Sequence, residues 1–403
     1  MPAYENAVVL CGPDLTPFRC KRFTTEGDTI RAIDRTEPVL TLDAGARVII
    51  PGLYNSHTHM GDSCLPDGAT GMTLEEGFFR PDGYKYRELA RQDRASHIGH
   101  IVNHLRTMAA SGTVCHIDFR EQGVEGASRL REASRQTRVQ SVILSQFNQL
   151  PFTQEELETN SALLPPEAEQ ELAALLEAAD GFSESTMNDL TSPAWRQIRD
   201  VTREAGKLRA IHCLENAGYR DVSLKRTARG DLDRAIELLD PHLIIHLTVA
   251  NDREIALLAT EKKTAVLNPR ANANLALPFP PIPGLLDAGV NCLLGTDNGL
   301  LNSPNLFAEM DYTYKLTKAL SGDVRRPDPT DILRMATSNI RPALGGDHYG
   351  YLEPGLPASY VVLDFTAPHL RATRHLSASI VTRVTPADVR ETWHRGQKLY
   401  PKS

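Results

Sequence analysis

Two histidines placed two residues apart, His57 and His59, are the first residues in this chain whose types and spacing could do chemistry. They end the strand-like run NSHTH, and residues two apart on a strand point to the same side. Both imidazoles can therefore reach one cation, and neutral histidine is the commonest metal-binding side chain. The pattern also occurs among surface and packed histidines, so by itself it only raises the hypothesis of a metal site.

Further polar residues stand at the ends of later strand-like runs. His212 ends LRAIH, His246 ends LIIH, and Asp297 ends NCLLGTD. In a (β/α)8 barrel, functional side chains come from the carboxyl ends of different strands. Taken singly, each would be a packed histidine or a turn aspartate. Taken together and in this order, they predict one shared site.

The elements that must position these residues follow an alternating pattern. From Pro51 to about Gly350, apolar strand-like runs alternate with amphipathic helical stretches, which favours an α/β domain with parallel strands. One predicted helix runs from a capping Ser192, through Pro193 at its first position, to a stop at Gly206. Short β runs fill residues 1–50 and 354–403, which predicts one small domain assembled from both termini.

Several motifs together resemble a known family. PGLYNSHTHMGDS (51–63), HCLE (212–215), His246 and GTDN (295–298) resemble the amidohydrolase superfamily, in particular its cytosine, guanine and adenosine-type deaminases and its chlorohydrolases. NPRAN, PFPPI and GTDNGLLNSPNLFAEMD resemble a mostly prokaryotic branch without an assigned substrate. The resemblance covers nearly the whole chain. It implies a (β/α)8 TIM barrel over residues 51–353 and a small β-sandwich domain over residues 1–50 plus 354–403.

The resemblance also implies roles for these residues. His57, His59, His212 and Asp297 would bind one divalent metal, Zn or Fe(II), and His246 would hydrogen-bond the metal-bound water. Glu215 would shuttle the proton, and Asp297 could also accept it. Relatives with two metals carry a lysine at the end of strand four. The matching segment of this chain, DGFSESTMND, contains none, so we expect a single ion.

This ligand set predicts hydrolysis by metal-bound hydroxide, because a divalent metal lowers the pKa of water from 15.7 to roughly 7. The HxxE pattern of His212 and Glu215 favours deamination of an amino- or imino-bearing heterocycle or amidine. The alternative is hydrolysis of another C–N bond, such as an amide or lactam, or of a C–halogen bond. A non-catalytic relative would normally lose ligands, and in this chain every ligand position is filled.

Four residues are candidates for substrate binding. Arg120 follows the strand-like run TVCHIDF, and an arginine at the site could bind a carboxylate or phosphate through two hydrogen bonds. Lys85 lies in the long segment after strand one, and long loops in compact barrels are commonly lids or binding loops. Arg270 and Asn272 follow the seventh strand-like run. A surface or packing role remains an alternative for each of them.

The bulk composition excludes several classes of function. The formal net charge is −7, and no basic stripe predicts a nucleic-acid partner. No run approaches ~18 uninterrupted apolar residues, and no secretory leader is seen, so we expect no membrane partner, a cytoplasmic protein and a small-molecule substrate. The six cysteines lack CxxC spacing, which predicts free thiols. Relatives in this family often form homodimers, so the resemblance also suggests a homodimer, although no segment identifies an interface.

Overall fold

The computed structural model describes residues 2–42 and 45–401. Within these ranges the chain forms two sheets. In chain order their strands are β1 (Ala3–Cys11), β2 (Thr16–Glu26), β3 (Thr29–Pro38), β4 (Arg47–Pro51), β5 (Leu53–His59), β6 (Thr113–Arg120), β7 (Gln140–Ser145), β8 (Gly181–Glu184), β9 (Leu208–Cys213), β10 (Leu243–His246), β11 (Thr264–Leu267), β12 (Asn291–Leu294), β13 (Asp297–Asn298), β14 (Tyr360–Asp364), β15 (Val389–His394) and β16 (Gln397–Tyr400).

Helices cover most of the connections between the parallel strands. In chain order they are α1 (Leu74–Phe78), α2 (Tyr84–Leu89), α3 (Arg94–Ala110), α4 (Gly123–Thr137), α5 (Gln154–Thr159), α6 (Pro166–Ala178), α7 (Ser192–Glu204), α8 (Ala217–Thr227), α9 (Asp231–Arg234), α10 (Asp252–Thr260), α11 (Pro269–Asn274), α12 (Ile282–Asp287), α13 (Leu306–Ser321), α14 (Pro329–Met335), α15 (Ile340–Leu344) and α16 (Leu376–Arg383).

The parallel sheet closes into a barrel. Strands β5 to β12 pair in chain order, and β13 pairs with β5, with Asp297 opposite Thr58. Only Gly295 and Thr296 separate β12 from β13, so these two segments are consecutive parts of one eighth strand. The predicted α/β class and the (β/α)8 barrel are therefore confirmed.

The barrel strands are buried along most of their length. Every residue of β5, β6 and β10 is buried, including the polar side chains of β5 (LYNSHTH) and β6 (TVCHIDFR). Helices cover the outside of such a sheet and side chains fill its inside, so both faces exclude water. The polar residues inside these runs are therefore exceptional, and they mark the site.

The second sheet combines both termini, as predicted. Its seven strands form one mixed sheet in the order β16-β15-β14-β4-β1-β2-β3, in which only β1 and β4 are parallel. Alternate residues of β1 face opposite sides: Val8 and Leu10 pack in the large cluster shared with the barrel, whereas Ala7 and Val9 pack in a separate cluster. The exact domain boundaries remain a prediction, since α16 from the C-terminal segment packs against α13 and α14.

Helix α7 shows one local correction to the sequence analysis. The predicted cap, Ser192, is the first residue of the helix, and Thr191 is the N-cap, whose side chain accepts a hydrogen bond from the backbone N–H of Ala194. Threonine and serine are both good caps, and sequence preference does not separate two adjacent candidates. Gly206 follows the helix with a φ of +62°, as a stop residue should.

Two further observations concern the chain as a whole. None of the helices in the described ranges combines the length and apolar character that crossing a bilayer requires. All six cysteines lie in those ranges and are unpaired, which confirms the prediction of free thiols. Cys213 is packed in the apolar cluster outside the barrel, on the other side of the strand from His212.

Candidate metal centre and active site

Four imidazole rings and one carboxylate meet at the carboxyl ends of the barrel strands. Nε2 of His57 lies 3.1 Å from Oδ1 of Asp297, and Nε2 of His59 lies 3.5 Å from the same oxygen. The ring of His212 has its centroid 5.0 Å from that of His57 and 5.2 Å from that of His246. Strands β5, β9, β10 and β13 thus bring together residues that lie far apart in the chain.

A glycine allows the eighth strand to approach the first. A Cβ atom on Gly295 would lie 2.7 Å from the Cβ of His57. Real Cβ atoms essentially never approach another heavy atom this closely. Only glycine therefore lets the backbone before Asp297 pass this close to His57. The glycine of the GTDN motif thus has a packing role at the site.

The ligand atoms fall into two overlapping groups. Those of His57, His59 and Asp297 all lie within 4.8 Å of one another, and so do those of His57, His212 and His246. The four predicted ligands are divided between these groups, and His57 belongs to both. Sequence reasoning placed His246 outside the ligand set, and its distances are compatible with either role.

Hydrogen bonds on the outer ring nitrogens orient two of the candidate ligands. Nδ1 of His59 lies 3.0 Å from the carbonyl oxygen of Phe119, and Nδ1 of His212 lies 3.0 Å from that of Glu184. A carbonyl oxygen only accepts, so Nδ1 carries the proton in both rings. Each Nε2 is then left with a free lone pair, as metal binding requires.

The surroundings of His57 fit a cation in the same way. The residue is fully buried, and neither ring nitrogen makes a well-directed hydrogen bond to any described residue. Burial lowers the pKa of His57 to about 3, so the ring is neutral near neutral pH. A buried polar atom without a partner is costly, and a metal ion at Nε2 would satisfy one of these nitrogens.

Charge at the centre is concentrated on Asp297. Burial alone would raise the pKa of this carboxyl, but contact with His57 and the neighbouring histidines holds that pKa well below its usual value. The carboxylate is therefore ionised under ordinary conditions. Neutral imidazoles together with one carboxylate form a donor set that suits Zn or Fe(II).

Glu215 and His246 face each other beside this cluster. Oε1 of Glu215 lies 3.5 Å from Nε2 of His246, and burial raises the pKa of Glu215. Oδ1 of Asn272 lies 3.0 Å from Nδ1 of His246. With the amide in this orientation Nδ1 is the donor, which leaves Nε2 directed into the site.

Four non-glycine residues with positive φ lie at or next to the same strand ends. His246, Leu247, Asp297 and Leu214 have φ angles of +76°, +56°, +62° and +53°. Non-glycine residues rarely adopt this region, and each costs on the order of 1–3 kcal/mol, which the surrounding structure must offset. Such strain is typical of functional positions, and of these four residues His246 and Asp297 line the cavity at the barrel mouth.

The cluster opens into a small cavity of about 50 Å³. Part of its wall comes from α1 and α2, in the long segment after β5. This segment therefore covers the site, as its length predicted. Sequence reasoning did not single out Leu74, Ser185 or Tyr219 among the lining residues, although Ser185 directly follows the end of β8. The complete lining is His59, Leu74, Phe78, Lys85, Tyr86, Ser185, His212, Glu215, Tyr219, His246, Asp297 and Asn298.

Comparison with known proteins assigns the family. The sequence model of the amidohydrolase family matches residues 48–399, which is most of the chain. The chain belongs to the amidohydrolase family. This membership confirms the resemblance inferred from the motifs, and with it the predicted class of enzyme, a hydrolase.

Individual relatives of this amidohydrolase agree with the assignment. A Methanothermobacter thermautotrophicus protein, provisionally called an aminohydrolase, is 34% identical over 367 residues, 90% of this chain and 91% of that protein. A 5-methylthioadenosine/S-adenosylhomocysteine deaminase of Caldanaerobacter subterraneus subsp. tengcongensis is 25% identical over 398 residues, 94% of this chain and 88% of that protein. The crystal structure of a Xanthomonas campestris adenosine deaminase with bound zinc superposes with a TM-score of 0.84 at 21% identity, covering 98% of this chain and 92% of that one, and confirms the fold.

The four predicted substrate-binding residues of this amidohydrolase lie in different places. Lys85 lines the cavity, but its ammonium group pairs with Glu121 and Asp62. Asn272 contacts His246 and does not line the cavity. Their role in substrate binding remains a prediction.

The two arginines lie outside the cavity wall. Arg120 is fully buried and bonds to the side chains of Glu121 and Gln122, at 3.4 and 3.1 Å. Arg270 donates from its backbone N–H to Glu309 and from its guanidinium to the carbonyl of Ser303. The structure therefore does not bring either guanidinium to the metal-ligand cluster.

Proposed function

We propose that this amidohydrolase is a hydrolytic deaminase of an amino- or imino-bearing heterocycle or amidine. The observation that carries the proposal is the position of Glu215, which faces His246 across a distance of 3.5 Å, inside the cavity that contains the histidine and aspartate cluster. Burial raises the pKa of the Glu215 carboxyl, which favours its taking up a proton and passing it on during the reaction. The deaminase names of the relatives support the same reaction class.

The proposal includes one divalent ion, Zn or Fe(II), bound by His57, His59, His212 and Asp297. Bound there, it would lower the pKa of water from 15.7 to roughly 7 and so make hydroxide available at neutral pH. The absence of lysine from β8 supports a single ion. His246 is an alternative ligand, because its ring nitrogen lies within 4.8 Å of those of His57 and His212.

The protein's own side chains carry out the proton transfers and position the nucleophile. Glu215 takes a proton from water at Oε1 and delivers it to the departing nitrogen, which leaves as ammonia. The oxygen of water forms the new bond to the sp² carbon, and its second proton ends on the ring nitrogen. Asn272 holds the imidazole of His246 so that Nε2 points at the nucleophile, and the wall formed by Leu74 and Phe78 excludes bulk water.

Ammonia release tests the proposal directly. Full-length protein loaded with zinc or with Fe(II) is assayed against adenine, guanine, cytosine, adenosine, 5′-methylthioadenosine and S-adenosylhomocysteine, and we expect ammonia from at least one of them. A Glu215→Gln protein that retains its metal should not release ammonia. Loaded protein that hydrolyses amides, lactams or chlorotriazines while leaving every amine intact would replace deamination with the alternative reaction class.

Two further expectations remain predictions. We infer a cytoplasmic protein, which cell fractionation tests, and a homodimer, which sedimentation of the purified protein tests. A small-molecule substrate, without nucleic acid, fits membership of the amidohydrolase family and a net charge of −7.

A further inference from the structure

Four buried charges lie directly behind the metal-ligand cluster. The ammonium group of Lys85 forms an ion pair with Oε1 of Glu121 and lies 3.4 Å from Oδ2 of Asp62. Nη1 of Arg120 lies 3.4 Å from the other oxygen of Glu121. Each side chain is at most 3% exposed, so the two cations and two carboxylates balance one another away from water.

This group of charges touches the site at two points. Oε1 of Glu121 lies 2.7 Å from Nδ1 of His59, which makes it the nearer acceptor for that N–H. Asp62 accepts a hydrogen bond of 2.6 Å from the amide of Asn298, the residue after Asp297. The two carboxylates that bind Lys85 thus reach a predicted ligand and the neighbour of another.

His59 differs from the other imidazoles in this respect. The outer nitrogen of His212 is held by a backbone carbonyl, that of His246 by an amide, and that of His57 has no well-directed partner among the described residues. Only His59 meets a carboxylate there. A carboxylate behind a histidine ligand fixes its ring and tautomer and increases its basicity.

Lys85 connects this arrangement to the cover of the cavity. It lies on α2, in the segment that covers the site, and its side chain also lines the cavity. The position of α2 and the orientation of His59 therefore depend on the same carboxylate.

We propose that Glu121 is a positioning residue for the metal ligand His59, and that Lys85 holds Glu121 in place from the covering segment. The inference rests on the metal centre of the proposed function. It assigns Glu121, which follows β6, to the affinity of the centre for its ion and not to contact with substrate. It also gives Lys85 a role that does not require it to bind substrate.

The affinity for Zn²⁺ alone tests the role of Glu121, by competition of full-length protein with a chelator of known affinity. Glu121→Leu removes the acceptor, and we expect the Kd for Zn²⁺ to rise about 10- to 100-fold. Glu121→Gln keeps an oxygen that can accept the Nδ1 proton and should restore part of the loss. Asp62→Asn, which removes an equal buried charge without touching a ligand, is the matched control and should change the Kd by less than about threefold.

The role of Lys85 is tested by a double-mutant cycle. In a Lys85→Met background Glu121 has lost the ion pair at Oε1 and keeps only Arg120, so adding Glu121→Leu should raise the Kd at least about fivefold less than it does in the wild type. An equal effect in both backgrounds would overturn the part of the proposal that concerns Lys85.

Two results would overturn the role of Glu121: Glu121→Leu protein with wild-type affinity, or equal losses in Glu121→Gln and Asp62→Asn, which would show a pure effect of charge. If Glu121→Leu does not fold, Glu121→Asp decides, because it keeps the charge but shortens the reach to His59 and should also raise the Kd. A wild-type protein that binds neither zinc nor Fe(II) would instead remove the proposed metal centre itself.

Discussion

Nε2 of His57 and Oδ1 of Asp297 lie 3.1 Å apart, although these residues come from the first and the last strands of the barrel. A buried carboxylate this close to two imidazoles is stable only if a cation or a proton compensates its charge. We therefore expect Asp297→Asn to lose most of its bound metal and to lower deaminase activity at least about 100-fold.

Metal content by atomic spectroscopy and ammonia release by the same protein sample check this expectation together. The control is Asp311→Asn, which removes an aspartate from an exposed ion pair with Lys315 and should change neither quantity. An Asp297→Asn protein with full metal content and full turnover would refute the assignment of this ligand. So would wild-type protein that stays active after its ion has been removed by chelation.

Glu215 should be needed for chemistry but not for metal binding. Glu215→Gln keeps the shape of the side chain but cannot take a proton from water, so we expect kcat to fall about 10²- to 10⁴-fold with unchanged metal content. Steady-state kinetics on the best substrate of the panel measure the effect. The exposed Glu204→Gln is the comparison and should behave as wild type. A metal-loaded Glu215→Gln enzyme with wild-type kcat would assign the proton transfer to another group.

Asn272 should act through His246. Asn272→Ala leaves the Nδ1 proton of a buried imidazole without its acceptor, 3.0 Å away in the wild type, and we expect activity to fall about 10-fold or more. Asn272→Asp supplies an acceptor at the same place and should recover most of the loss. Asn274→Ala, on the same helix but bonded to the carbonyl of Leu301, should have little effect. Equal kcat in the two Asn272 variants would argue against a role in holding the ring.

The clustering of the candidate metal ligands could be predicted from the sequence, because it depends on which residues end the strands. Burial of both faces makes strands such as β10 and β12 short apolar runs, so a histidine or aspartate at or just after the end of such a run is conspicuous. His212, His246 and Asp297 were found in this way, and the order of the runs gave their order around the barrel.

The prediction for Arg120 shows what such a pattern leaves open. Successive residues on a strand point to opposite sides. Phe119 faces the cluster, with its ring centroid 4.4 Å from that of His57, so Arg120 points away from it. The end of β6 was recognised correctly. Which of its side chains point into the barrel depends on the register of β6 against β5, which the pattern does not give. The ion-pair partners of Lys85 could not be predicted either, because they depend on how the long segment after β5 folds back over the barrel.

His394 should make folding stability depend on pH at a place far from the metal centre. Nδ1 lies 3.0 Å from the hydroxyl of Ser359 and Nε2 lies 3.1 Å from the amide oxygen of Gln140, so the ring joins β15 to the barrel strand β7. Burial lowers its pKa to about 3, whereas the unfolded chain titrates this residue near about 6.5. Between these values the unfolded chain binds a proton that the folded chain does not. The free energy of unfolding therefore falls as the pH falls below about 6.5, by up to about 1.4 kcal/mol per pH unit.

Substitution of His394 by glutamine isolates this contribution, because every other titrating group is kept. We expect the wild type to lose more of its free energy of unfolding than His394→Gln between about pH 7 and about pH 5, by on the order of 1–2 kcal/mol. Urea denaturation of the metal-free proteins at both pH values measures the difference, and removing the metal keeps acid release of the ion out of the comparison. Parallel losses in the two proteins would mean that the imidazole of His394 can take up a proton without leaving its contacts with Ser359 and Gln140.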